Sequence, residues 1–231
     1  ESVVRDPVTG KYWVSFENHP SLRRYSADFM QEELVVRPEA MKSRPPNAGP
    51  EALARLADGR FLVLSEAAEA RDGGYEALLY PGEPRADVDP IRFAYAPPEG
   101  FKPTDAKLLP DGRVLILHRR LAFPSGLSAS IGIADPATIR AGRIWRATEL
   151  ARLKSPLAVD NMEGLAITQE AGSTIVWIIS DDNFNAFQRT LLLKFALPDD
   201  RARKEDRRLG FERPGLEQPG FERPGFESLP D

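Results

Sequence analysis

The 231-residue chain contains no cysteine. Disulfides and thiolate metal sites are therefore excluded, while oxidising and reducing compartments both stay open. No apolar run approaches the ~18 residues needed to span a bilayer, and no signal peptide is present. Basic residues do not exceed acidic ones (31 against 35), and the net charge is −4. No overall basic field attracts nucleic acid. There is no glycine-rich phosphate loop and no dinucleotide fingerprint. Ser65, Ser125 and Ser180 lack a Gly-x-Ser-x-Gly setting, so a serine-hydrolase nucleophile is not supported. A starting Met is also missing. The chain opens at Glu1 inside a repeat, which leads us to expect a portion of a longer protein.

What is present is one hairpin written four times. Glu1-Ser-Val-Val turns at Thr9-Gly10 and closes with Tyr12 to Glu17. Glu51-Ala-Leu-Ala turns at Asp58-Gly59 and closes with Phe61 to Glu66. Asp105-Ala-Lys-Leu-Leu turns at Asp111-Gly112 and closes with Val114 to Arg120. Glu163 opens the fourth copy, which turns at Gly172 and runs through Val176 to Asp181. From turn glycine to closing charge is seven residues in the first three copies (10 to 17, 59 to 66, 112 to 119) and nine in the fourth (172 to 181). Asp-Gly between apolar runs marks a tight reversal, because Gly supplies φ > 0 cheaply.

Residues 61–65, 114–117 and 175–179 are continuous apolar runs, as expected of strands covered on both faces. A β-sandwich would alternate instead. Further strands are predicted near 22–26, 33–37, 76–80, 91–96, 128–134 and 144–150, with a helical turn in 135–140 and a loop over 44–50. Four-stranded units at a period near 50 describe an all-β fold, a β-propeller with four blades visible. The last copy lacks its outer strand, so we expect part of a larger ring of about six blades. Residues 1–197 form this domain. Residues 198–231 carry a five-residue Gly/Pro repeat (Gly-Phe-Glu-Arg-Pro at 210–214 and 220–224) with too few apolar side chains to fold, and read as a disordered tail.

In each hairpin the opening acid and the closing charge are neighbours. Glu1 with Glu17, Glu51 with Glu66, Asp105 with Arg119, and Glu163 with Asp181 are predicted to gather at the mouth of one channel. Carboxylates held together raise one another's pKa unless a cation neutralises them. Oxygen-only clusters suit hard cations, with Ca²⁺ the first choice, so Glu17, Glu51, Glu66, Asp105, Glu163, Asp181 and Asp182 are candidate metal ligands. The competing reading is that these acids cap turns and pair with basic neighbours. His118 ends an apolar strand at the proposed rim and is a candidate acid or base, or else a structural histidine. Arg119, Arg120 and Arg189 are candidates to bind an anionic substrate, or to pair with the rim acids.

Asp160-Asn-Met-Glu-Gly-Leu-Ala166, Ser180-Asp-Asp-Asn-Phe184 and Gln188-Arg-Thr-Leu-Leu-Leu-Lys-Phe195 resemble the closing motifs of the bacterial phytase-like family, described as esterase-like activity of phytase. Gly49-Pro-Glu-Ala-Leu53 and Leu109-Pro-Asp-Gly-Arg113 fit as well. The resemblance spans residues 1–197. It implies a β-propeller that is periplasmic or secreted, and a hydrolase of phosphate or other esters that depends on calcium. The expected partner is a small anionic ester, with no nucleic acid, no membrane span and a monomeric state. The alternative is a non-catalytic propeller that binds a ligand or protein at its rim around a structural cation.

Overall fold

The computed structural model describes residues 1–197 except 18, 42–48, 71, 72 and 125. The predicted tail at 198–231 and most of the predicted loop at 44–50 lie outside the described residues. Four antiparallel meanders make four propeller blades. Blade 1 is β1 (Val3–Arg5), β2 (Tyr12–Phe16), β3 (Ser21–Tyr25) and β4 (Glu32–Val36). Blade 2 is β5 (Pro50–Arg55), β6 (Phe61–Glu69), β7 (Tyr75–Tyr80) and β8 (Ile91–Tyr95). Blade 3 has β9 (Lys102–Leu108), β10 (Val114–Ala122) and β11 (Gly126–Ala134). Before its fourth strand the chain makes a 3-10 turn at Pro136–Thr138, capped by Asp135, and lays β12 (Ile144–Trp145) parallel to β8 on the edge of blade 2. It then returns as β13 (Thr148–Leu153) to finish blade 3. The single strand predicted at 144–150 is therefore two strands in two blades. Trp145 is the reason, because it is drawn into the core between those blades, where its ring meets Phe93 and Tyr95. Blade 4 is β14 (Met162–Glu170), β15 (Ser173–Ser180) and β16 (Leu192–Leu197).

The turn glycines Gly59 and Gly112 have φ of 88° and 87°, the left-handed region that Asp-Gly reversals use. The inner hairpins then feed three apolar interfaces. Trp13, Leu22, Leu53 and Val63 join blades 1 and 2. Leu62, Leu64, Tyr95 and Ile116 join blades 2 and 3. Leu115, Leu117, Leu165 and Ile178 join blades 3 and 4. Each large apolar side chain buried there contributes about 1.5–3 kcal/mol.

The innermost strands β1, β5, β9 and β14 stand next to one another in that order. Their register makes two layers. Glu51, Thr104 and Glu163 are each the extra residue of a β-bulge, skipped by the partner strand. Ala52, Asp105 and Gly164 follow one step deeper, opposite Leu64, Leu117 and Ile179. Gly164 has no room for a side chain, since an added Cβ would lie 2.6 Å from Ile179 Cγ2.

Candidate functional site

Asp105 belongs to the deeper layer, opposite Leu117 and not Arg119. Counted from the turn, Val114 pairs with Leu108 and Asp105 falls opposite Leu117, two residues short of Arg119. Its Oδ1 accepts from Ser2 Oγ at 2.6 Å, the Ala106 amide at 2.8 Å and Lys107 Nζ at 2.5 Å, and its Oδ2 accepts from the Leu165 amide at 2.8 Å. The carboxylate thus bolts blade 3 to blades 1 and 4. All of these are charge-assisted bonds in a buried place. Asp105 is occupied as a structural tie.

The mouth layer gathers around Arg119, which projects from β10. Its Nη1 donates to Asn161 Oδ1 and Glu163 Oε1, both at 2.6 Å, and its Nη2 donates to Glu66 Oε2 at 3.0 Å. Lys102 Nζ reaches Glu66 Oε1 at 3.2 Å. Three blades therefore meet on one guanidinium. Beside it, Glu17 and Glu51 share a hydrogen bond. Gly49 makes the approach possible, since a Cβ there would lie 2.5 Å from Glu17 Cα.

Burial, and then the charges of Glu17, Glu66 and Glu1, push the Glu51 pKa up to about 9. Glu51 is protonated at neutral pH and donates to Glu17, whose own pKa is raised by burial and by the neighbouring acids. Among the described residues, Glu51 Oε1 is buried without a hydrogen-bond partner. Burial also raises Glu163 to about 7, against the opposing pull of Arg119 and Asn161. Burial is the largest cause at Glu17, Glu51 and Glu163, and the repulsion of neighbouring carboxylates adds to it.

Other predicted site residues lie elsewhere. Asp181 and Asp182 are in an outer turn, where Asp181 Oδ1 accepts from the Asn183 amide (3.0 Å) and Asp182 Oδ1 from the Phe184 amide (2.9 Å). This is the local chemistry that makes Asp and Asn turn residues. Asp181 is level with Asn161, not Glu163, because the bulge falls at Glu163. His118 is not at the rim. It is fully buried between blades 2 and 3, stacked on Tyr95, with Nε2 2.6 Å from the Tyr95 hydroxyl and Nδ1 3.1 Å from the Ser130 carbonyl. Burial lowers its pKa to about 4, so it is a neutral core histidine. Arg189 is largely exposed, and its amide donates to Asp160 Oδ2 at 3.1 Å. Among the described residues, no three His, Asp or Glu side chains converge in a metal-binding arrangement.

A cavity of about 400 Å³ opens beside Arg119, lined by Lys102, Arg120, Leu121, Leu127 and Asn161 among others. Arg120 lies alongside Gly100, with its guanidinium 5.9 Å from the Phe101 ring centroid. Lys102 and Asn161 were not singled out from sequence. Asn161 stood inside a quoted motif, but Lys102 is marked only by the register that sets it opposite Arg119.

A propeller whose inner strands deliver acids and a guanidinium to one mouth is the class of protein defined here. The family model described as "Phytase-like: Esterase-like activity of phytase" matches residues 1–184. The chain belongs to that phytase-like family. A search of curated proteins finds no match. Among solved structures, Drosophila Plexin A in complex with Semaphorin 1b is similar at 15% identity with a TM-score of 0.42, over 89% of this chain. The chain spans 41% of the matched chain of that complex.

Proposed function

We propose that the protein is a hydrolase of phosphate or other esters, working at the mouth around Arg119 with a divalent cation, Ca²⁺ in the first instance. The observation that carries the reading is the meeting of Glu66, Asn161 and Glu163 on Arg119 beside an open cavity. It is supported by membership of a family described by esterase-like activity.

The donor chemistry fits a cation at Glu17 and Glu51. Both are oxygen ligands, they share a proton that a cation would replace, and Glu51 Oε1 has no hydrogen-bond partner among the described residues. Two carboxylates completed by water and substrate oxygens are a sufficient set for a hard divalent ion. When bound, such an ion polarises the ester and lowers the pKa of a water. Arg119 and Lys102 would receive the anionic oxygens and neutralise charge developing on them. Glu163, with a pKa near 7, would hold a proton at working pH and deliver it to the departing alkoxide. Export, with the mouth facing an environment rich in calcium, is part of the same proposal.

A non-catalytic binding propeller is the second reading, favoured by the way Arg119 is already held by its acids. Release of phosphate from phytate and from p-nitrophenyl phosphate separates the two, assayed with Ca²⁺, Mg²⁺, Mn²⁺ or chelator. Turnover that needs a divalent ion and falls at least a hundredfold in Arg119→Ala supports hydrolysis. No turnover of any ester with any of these ions refutes it.

A further inference from the structure

The cavity beside Arg119 has two unlike ends. Lys102, Arg119 and Arg120 line one end together with Glu66, three cationic side chains to one carboxylate. At its outer end the hairpin joining β10 to β11 presents Leu121, which is 78% exposed, and Phe123 beyond it is fully exposed. Asn183 and Gln188 line the same cavity, and the segment between them carries Phe184 and Phe187, both almost completely exposed. Large apolar side chains left in water together beside a pocket are the informative exception to ordinary burial.

The segment is also built. The Asn185 amide donates to the Asp182 carbonyl at 2.7 Å, and the Gln188 amide to the Asn185 carbonyl at 2.9 Å. Asn183 Nδ2 reaches Gln188 Oε1 at 3.2 Å, and Thr190 Oγ1 reaches Asp182 Oδ2 at 3.1 Å. Phe184 is held at φ +53°, a conformation that bulky residues seldom adopt. The backbone that carries the two exposed phenyl rings is thus held by a hydrogen-bonded frame, and its ends line the same cavity as Leu121.

We infer that this cavity selects esters whose anionic head is joined to an apolar alcohol, aryl or alkyl, with the head at Lys102, Arg119 and Arg120 and the apolar group against Leu121, Phe184 and Phe187. The inference rests on the proposed mouth site and names its substrate class. Ligand pockets commonly pair an apolar wall with a few orienting polar groups, and exposed aromatic rings supply contact area at little conformational cost.

The test is calorimetric binding of two non-hydrolysable probes, benzylphosphonate and methylphosphonate, to the whole protein. Benzylphosphonate is expected to bind at least tenfold more tightly. In the Phe184→Ser/Phe187→Ser double variant the two affinities should come within about threefold, with methylphosphonate binding unchanged; Leu121→Ser gives an independent, smaller loss. These side chains are exposed, so folding is expected to survive, and a thermal melt checks it. Equal affinities in the parent, an unchanged ratio in the variants, or no binding of either probe would overturn the inference. So would sedimentation with phosphatidic acid vesicles without binding of soluble benzylphosphonate, because the loops would then dock to a lipid surface. Binding preference without turnover of any ester would refute hydrolysis and leave the inference standing.

Discussion

Glu51→Gln should stabilise the protein, and by an amount that grows with pH. The carboxyl of Glu51 is 5% exposed, and its pKa is raised from 4.5 to about 9. Between those values the native state keeps a proton that the unfolded chain releases, so stability falls as pH rises through this window. The raised value means that the full stability is present below pH 4.5 and that the loss is complete above about pH 9. Two pH units inside the window correspond to about 3 kcal/mol. Glutamine keeps the shape and the donor toward Glu17 but cannot ionise. Guanidinium unfolding of parent and variant at pH 5 and pH 7 should therefore show the variant gaining about 3 kcal/mol relative to the parent across that interval. A stability difference that is flat with pH, or one that shrinks, would refute the protonated Glu51–Glu17 pair. Saturating Ca²⁺ should narrow the gap by stabilising only the parent, since the ion would occupy the place of the proton.

Asp105→Ala should cost about 3–5 kcal/mol in the same assay, because Lys107 and the Leu165 amide lose a buried acceptor at once. Tyr95→Phe should cost about 1–3 kcal/mol by leaving His118 Nε2 unpartnered, and the His118 ring should still show no protonation by NMR above pH 5, given its pKa of about 4. Gly49→Ala should destabilise the fold and weaken Ca²⁺ binding together, measured by melting and calorimetry, since the added Cβ would displace the Glu17 backbone.

Hairpins and blades were legible in the sequence because their signals are local. The Asp-Gly reversals and the doubly covered apolar runs follow from the residues themselves, and β6, β10 and β15 lie where those runs stand. What stayed hidden depends on the partner backbone. The bulges at Glu51, Thr104 and Glu163 shift register by one at the mouth, and Asp105, one residue inside its bulge, falls in the deeper layer away from the mouth acids. Nothing in Val114-Leu-Ile-Leu-His118 tells a histidine facing a core tyrosine from one facing a channel. Trp145 looked like part of an ordinary outer strand, whereas its indole decides to which blade the segment attaches.

The parallel strand β12 has a consequence for how the molecule comes apart. Repeat arrays tend to lose one unit at a time, since each touches only its neighbours. Here a piece of the chain leaves β11, zips onto the rim of the preceding sheet, and comes back. Peeling either sheet away tears that suture, so the second and third units are expected to exchange their amide hydrogens as a single cooperative block, while the first and fourth fray independently.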